Sequence, residues 1–286
     1  MRAPACSDSV CDVTVWVNGR LVPDEDAGIS VFDHALIVGD GVFETIKVDN
    51  GVPFALSRHL ARLERSASGL RLPLPDTGQI RAGALDLLEA AGWPQGARMR
   101  VTVTGGVSPL SSERGSSPPT VIIALGPLTE WDATCDVVTV PWSRNEHGAV
   151  AGLKTTSYAE NVVALGYAHD RGASEAIFPN TAGNLCEGTG TNVFVVLESR
   201  LITPPLSAGC LAGITRELVV EWAGAAEEDV PLAALAGAQE AFLTGSTRDV
   251  QPIRSVDGVP LPAAPGPVTR KAAQVFFEKS AEVADP

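Results

Sequence analysis

The run Leu185-Cys186-Glu187-Gly188-Thr189-Gly190-Thr191-Asn192-Val193-Phe194-Val195-Val196 sets a lone carboxylate before a glycine-rich turn and an apolar strand. Thirty-three residues upstream, Lys154 sits in Val150-Ala151-Gly152-Leu153-Lys154-Thr155-Thr156-Ser157-Tyr158, flanked by small or apolar residues and far from any other lysine. A lysine in low-dielectric surroundings loses proton affinity, and its neutral amine can then attack a carbonyl. Downstream, Gly209-Cys210-Leu211-Ala212-Gly213-Ile214-Thr215-Arg216-Glu217-Leu218 places Gly-Ile-Thr at the start of a predicted helix. The free N–H groups and positive dipole end of such a helix suit a phosphate. Finally, Phe242-Leu243-Thr244-Gly245-Ser246-Thr247-Arg248-Asp249-Val250-Gln251-Pro252-Ile253 ends a strand in hydroxyls able to hold the same anion.

The chain around these segments has 286 residues, 45% hydrophobic and 19% charged, the composition of a folded globular protein. Its length fits one large domain or two modest ones. The 21 Lys+Arg against 34 Asp+Glu give a formal charge of −13, which argues against a nucleic-acid or anionic-membrane partner. Only four of the basic residues are lysines: Lys47, Lys154, Lys271 and Lys279. Cys6, Cys11, Cys135, Cys186 and Cys210 form no CxxC pair and have no histidine at ligand spacing, so reduced thiols and no metal are expected. MRAPACSDSVCD has no apolar core for a signal peptide, and nowhere do about 18 apolar residues run together. A cytoplasmic, non-membrane protein is the expectation. Neither a GxxxxGK[ST] phosphate loop, nor GxSxG, nor HExxH occurs, and Gly188-Thr189-Gly190 lacks the third glycine of a dinucleotide fingerprint.

The early chain reads as β-rich. Val13–Val17, the turn Asn18-Gly19 and Arg20–Val22 predict a hairpin. Val42–Val48 alternates, turns at Asp49-Asn50-Gly51 and returns over Val52–Leu56. A helix is predicted from Ser57 as N-cap, with Leu60, Leu63 and Leu70 at helical spacing, and a second over Ile80–Ala91. Strands follow at Met99–Thr104 and Thr120–Leu125 around a Gly/Ser/Pro-rich loop, Gly105–Pro119. The second half carries predicted strands at Val137–Val140, Ala176–Phe178 and Asn192–Leu197. Its predicted helices lie over Tyr158–Asp170, Thr215–Ala223 and Val268–Ala281. No regular βα period is present, so the fold class expected is α+β, a two-domain chain rather than a barrel or doubly wound sheet. The expected division is an N-terminal domain over 1–125, an interdomain loop over 126–136 and a larger C-terminal domain over 137–286.

Taken in order, VNGRLV, GDGVFETIKV, RHLARL, the Lys154 segment, CEGTGTNVF, LAGITRE and LTGSTRDVQPI span nearly the whole chain. Together they resemble the class IV, or fold type IV, pyridoxal-phosphate (PLP) aminotransferases. This family includes branched-chain, D-amino acid and (R)-amine transaminases and 4-amino-4-deoxychorismate lyases. The resemblance implies a small N-terminal and a larger C-terminal lobe, PLP as cofactor, and a homodimer. It implies that Lys154 bonds the cofactor covalently and shuttles the substrate's proton. Glu187 would pair with the pyridine nitrogen, which makes the ring an electron sink. Arg62, rather than Arg58, would bind the phosphate, with the Ile214 and Thr215 amides and Ser246 or Thr247 completing the cradle. Tyr158 would bond the ring's 3′ oxygen.

The substrate side is less fixed. D-amino acid transaminases carry an Arg-x-His pair in the loop after the Met99–Thr104 strand and a tyrosine in the GDGVYE string. Here Leu110-Ser111-Ser112 and Phe43 stand at those places, with Arg114 close enough to substitute. Arg98, Arg100 and Arg248 are further candidates for a substrate carboxylate. The leading expectation is transfer of an amino group from a D-amino acid or (R)-amine to a 2-oxo acid. The alternatives are a 4-amino-4-deoxychorismate lyase, releasing pyruvate and p-aminobenzoate, and a branched-chain L-amino acid aminotransferase. VFETIK follows the VFEGIR string of the latter only in part.

Overall fold

The computed structural model describes residues 14–286. Val13, where the first predicted strand begins, Cys6, Cys11 and the N-terminal leader reading lie outside the described residues. The hairpin forms as its turn dictates. β1 (Thr14–Val17) and β2 (Arg20–Pro23) pair antiparallel, and Asn18 and Gly19 both take positive φ, at 48° and 88°. Such a turn matches the right-handed twist of its strands.

With β3 (Gly41–Asp49), β4 (Val52–Pro53), β5 (Gly96–Thr104) and β6 (Thr120–Pro127), these strands build a six-stranded sheet ordered β2-β1-β6-β5-β3-β4. Between β2 and β3 a five-residue helix, α1 (His34–Val38), is capped by Asp33 and ended by Gly39 at φ 72°. The helices α2 (Leu56–Gly69) and α3 (Thr77–Ala90) present Leu60, Leu63, Ala67, Ile80 and Leu87 to Ile46, Met99, Val101 and Ile123 of the sheet. Truncating one such buried leucine to alanine costs about 2–5 kcal/mol. Ser57 is not the N-cap of α2. The N-cap lies two residues earlier, at Ala55 with φ 53°, and the Ser57 N–H and Oγ both donate to Asp285, at 2.7 and 2.5 Å. A carboxylate from the far end of the chain supplies the acceptor, which local spacing does not foretell.

The second sheet has nine strands. They are β7 (Cys135–Thr139), β8 (Glu175–Pro179), β9 (Leu185–Gly188), β10 (Asn192–Leu197), β11 (Arg200–Thr203), β12 (Ala226–Glu227), β13 (Glu240–Gly245), β14 (Asp249–Val256) and β15 (Val259–Pro260). Their order is β12-β11-β10-β13-β14-β7-β8-β9, with β15 on β14. The parallel pair β7–β8 is joined through α4 (Ala159–His169). Phe194 and Phe242, stacked with centroids 4.8 Å apart, meet α5 (Ile214–Ala223) and α6 (Pro267–Glu282) on one face. This mixture of parallel and antiparallel pairing is the expected α+β arrangement. Among the described residues, no helix is long and apolar enough to cross a membrane.

Among the described residues, backbone hydrogen bonds join the two halves at two seams. At one, the Lys154 segment lies antiparallel on the start of β3: Val42 bridges Thr155, Phe43 N–H donates to the Lys154 carbonyl at 3.1 Å, and Thr156 N–H donates to Gly41 at 2.8 Å. At the other, Ala55 N–H donates to the Ala284 carbonyl at 2.7 Å. The first seam brings Lys154 between the two sheets.

Candidate active site

Lys154 opens into a cavity of about 250 Å³ that also reaches Arg62, Tyr158, Glu187, Thr215 and Ser246. Its side chain is threaded between aromatic rings: Nζ lies 4.5 Å from the Phe43 centroid and 3.5 Å from Tyr158 Oη. Phe43 and Tyr158 meet edge to face at 5.0 Å. The backbone is held too, with Lys154 N–H donating to Ser66 Oγ at 3.1 Å. Burial, and then the nearby Arg62 guanidinium, pull the ammonium down to about 8. Neutral amine is therefore accessible near physiological pH. Burial pushes the Tyr158 phenol up to about 12, so it stays protonated.

Glu187 stands on the opposite wall, at the end of β9, its side chain 13% exposed. Oε2 accepts the Leu211 N–H at 2.8 Å, and Arg144 Nε lies 3.2 Å from Oε1. Burial raises the Glu187 carboxyl above its ordinary value, against the pull of Arg144. The turn that follows is shaped by a second carboxylate. Buried Glu175 accepts from Thr189 N–H at 3.0 Å, Thr189 Oγ1 at 2.5 Å and Thr191 Oγ1 at 3.1 Å. A Cβ on Gly188 would fall 2.1 Å from Thr191 Oγ1, so only glycine fits there.

The third wall is rich in donors. α5 begins behind Gly213 with no side-chain cap, which leaves its first amides, Ile214 and Thr215 among them, facing outward. A Cβ at Gly213 would lie 2.0 Å from Asn192 Oδ1, so this approach also requires glycine. Arg62 reaches the same wall and donates Nη1 to the Ala212 carbonyl at 2.9 Å. Its other edge is spent on Glu44, with Nε to Oε1 at 2.8 Å and Nη2 to Oε2 at 2.6 Å. His59 Nδ1 adds a third contact to Glu44 Oε2 at 2.6 Å. Burial disfavours the Glu44 charge, but Arg62 and His59 outweigh it and hold the carboxyl at about 2. Ser246 lines the Lys154 cavity, whereas Thr247 and Arg248 line an adjoining hollow with Trp131 and Glu175.

The remaining arginines separate clearly. Arg100 lies over the Phe43 ring at 3.7 Å from its centroid, and among the described residues its side chain donates only to Thr102 Oγ1, at 3.2 Å. Arg98, two residues earlier on the same face of β5, is exposed as Arg100 is, and neither lines the cavity; Arg100 differs in lying over the Phe43 ring, which Lys154 Nζ also approaches. Arg114 is turned onto Asp40 through Nε and Nη2, at 2.8 and 2.6 Å, and onto the carbonyls of Leu70 and Arg71. Arg248 stacks on Trp131 at 3.6 Å, donates to Gln251 Oε1 at 2.7 Å and lies 3.7 Å from Glu175. Three charged residues packed against the candidate site carried no expectation from sequence: Glu44, Arg144 and Glu175. Glu44 sits inside the quoted GDGVFETIKV string, where a charged residue at an apolar position of an alternating strand was the available signal.

Comparison with known proteins identifies the family. Residues 41–256 match the family described as amino-transferase class IV. A putative branched-chain-amino-acid aminotransferase of Methanocaldococcus jannaschii is 34% identical over 254 residues, which is 85% of this chain and 88% of that one. The aminodeoxychorismate lyase of Bacillus subtilis is 30% identical over 277 residues, 93% of this chain and 94% of that one. Among solved structures, the branched-chain amino acid aminotransferase of Thermobaculum terrenum in its PLP form superposes with a TM-score of 0.86 at 28% identity, covering 95% and 94% of the two chains. Fold and sequence together place the chain in the class IV aminotransferases, enzymes that work with pyridoxal 5′-phosphate.

Proposed function

We propose that this protein transfers the amino group of branched-chain L-amino acids to a 2-oxo acid, with PLP held on Lys154. The observation that carries the substrate reading is the orientation of Arg114. A D-amino acid reading needs that loop arginine for the substrate carboxylate, and here it is bound to Asp40. Arg248 is likewise engaged with Glu175, Gln251 and Trp131. The branched-chain relatives from M. jannaschii and T. terrenum support the same reading. It replaces the expectation of a D-amino acid or (R)-amine donor.

The residues fit the cofactor. One cavity joins a lysine amine, a carboxylate and a donor-rich wall, and Thr244 Oγ1 and Arg216 Nε on its lining are buried without a hydrogen-bond partner among the described residues. Arg62, the Ile214 and Thr215 amides and Ser246 would hold the phosphate, with Thr247 supporting the turn from behind. Glu187 would face the ring nitrogen and Tyr158 the 3′ oxygen. When bound, PLP supplies an aldehyde for the exchange of amino groups and a ring that withdraws electrons. Lys154 Nζ, once free of the cofactor, takes the proton from the substrate's α-carbon and returns it on the far side of the transfer. Phe43 and Tyr158 keep water from that amine, and the Phe43 ring offers an apolar surface to the substrate side chain. Arg100, over the same ring, would hold the substrate carboxylate in place of Arg98, because it shares the Phe43 ring with Lys154, and in place of Arg114 and Arg248, which are engaged with Asp40 and with Glu175 and Gln251.

The homodimer implied by the family resemblance also belongs to this proposal. Val31, Phe32 and Leu36 are 69%, 48% and 64% exposed, beside Leu110 at 74%, and the two stretches are bridged at Asp33 and Val107. A second copy would cover this apolar patch; light scattering should return twice the chain mass, and a monomer would overturn it. The substrate reading is tested by following the absorbance of the PLP-loaded protein on mixing with single donors. Leucine, isoleucine and valine of L configuration should convert the cofactor to its amine form fastest. Conversion by D-amino acids or (R)-phenylethylamine alone would overturn it, and release of p-aminobenzoate from aminodeoxychorismate would establish the lyase instead.

A further inference from the structure

Arg144 takes no part in the mechanism above, yet its guanidinium is held on several sides. Nη1 pairs with Glu160, Nη2 donates to Asn161 Oδ1 at 2.8 Å, and Cζ lies 4.2 Å from the Phe178 ring centroid. Its backbone is anchored as well, with Arg144 N–H donating to the Pro179 carbonyl at 2.7 Å. The remaining edge faces Glu187: Nε lies 3.2 Å from Oε1, is buried, and makes no hydrogen bond of proper geometry to any group among the described residues. The cation is thus close enough to act on the carboxylate but does not occupy it head-on. Oε2 is already taken by the Leu211 N–H, and Oε1 keeps lone-pair capacity for another donor. Lys154, of opposite charge, and Glu175, of like charge, also act on Glu187.

We propose that Arg144 is a positioning residue that keeps Glu187 ionised, so that the proton between Glu187 and the ring nitrogen of bound PLP resides on the nitrogen. The inference rests on the reading of Glu187 given above and deepens it. A carboxylate and a pyridine facing each other in a desolvated site compete for one proton, and desolvation alone favours the neutral pair. Burial does push the Glu187 carboxyl upward, and Arg144 is the foremost force in the other direction. A fixed cation beside Oε1 favours carboxylate with pyridinium over carboxylic acid with pyridine. Only the pyridinium withdraws electrons strongly from the reacting carbon.

The test uses the intact holoenzyme loaded with PLP carrying nitrogen-15 in the ring, and reads the ring nitrogen by NMR. In Arg144→Gln the resonance should move from the protonated toward the unprotonated position, and in Arg144→Lys, which keeps the charge, it should stay near wild type. A wild-type resonance in Arg144→Gln, or equal displacement in both variants, overturns the proposal. If Arg144→Gln does not fold or retain PLP, Arg144→His makes the same comparison within one protein. Its resonance should follow the titration of the introduced imidazole, and a wild-type position at every pH overturns the proposal. Glu187→Gln separates the two claims: no displacement there refutes the role of Glu187 itself, while displacement there but not in Arg144→Gln refutes Arg144 alone.

Discussion

Glu44 and Arg62 form a two-point ion pair at the base of the cavity, with the Glu44 side chain fully buried and that of Arg62 only 4% exposed. The arginine that faces the anion-binding wall is therefore oriented by a carboxylate on β3, the strand that also carries Phe43. Glu44 sharpens the direction of Arg62 while offsetting part of its charge.

Glu44→Gln should accordingly destabilise the protein by about 3–5 kcal/mol, because it strands a buried guanidinium. PLP should restore part of that loss, since its phosphate supplies a new counter-charge. Urea unfolding with and without PLP checks this, and a change under about 1 kcal/mol in the PLP-free protein would count against it. Since the Glu44 carboxyl is held at about 2, below its ordinary value, the pair's contribution is complete above the usual carboxylate range and is lost progressively as pH falls from that range through about 2.

Lys154 carries a second prediction. Its ammonium is lowered to about 8, and only the neutral amine attacks an aldehyde. The rate at which PLP-free protein captures PLP should rise about tenfold per pH unit below that value and level off above it. Stopped-flow absorbance measures the profile. A rate still climbing at the pH of an ordinary lysine would show that the amine is not desolvated.

Arg100 and Arg114 should separate in kinetics. Arg100→Met should raise KM for the 2-oxo acid acceptor by about tenfold or more, the loss of one charge-assisted contact of roughly 1.5–3 kcal/mol. Arg114→Gln should leave KM near wild type and lower Tm, because its partners are Asp40 and two backbone carbonyls. The opposite pattern would return the carboxylate to the loop.

His34 predicts a pH-dependent stability. Nδ1 faces Asp40 Oδ2 at 2.7 Å and Nε2 faces the Ser111 carbonyl at 2.9 Å. Both partners are acceptors, so both ring nitrogens donate and the imidazolium is favoured. The hydrogen bond to Asp40, then that to Ser111, raise the pKa above 6.5. The contribution is therefore fully present below about 6.5 and fades as pH rises through the folded value. The Tm difference between wild type and His34→Gln should be largest in acid and shrink with rising pH; a constant difference would contradict this.

Local chemistry made much of this architecture legible. Asn18-Gly19 announces its hairpin, and the periodicity of Leu60 and Leu63 announces α2. β14 is hidden because Gln251, Pro252 and Arg254 interrupt its apolar pattern, and Ser57 resembles a cap while its true partner, Asp285, lies 228 residues away. The same division holds at the site. Lys154, Glu187 and the Gly213-Ile214-Thr215 helix start are visible as local strings, and the fold gathers them around one cavity. Which arginine faces that cavity depends on distant carboxylates: Asp40 turns Arg114 away, Glu175 holds Arg248, and Glu44 aims Arg62. Pairings of that kind have no signature in spacing.

The central claim is that Lys154, alone of the four lysines, carries the cofactor. Borohydride reduction of the PLP-loaded protein followed by peptide mass mapping tests it directly. The account predicts one phosphopyridoxyl label, on the peptide containing Lys154, and none in Lys154→Ala. A label on Lys47, Lys271 or Lys279 in its place, or an unlabelled protein, would contradict it.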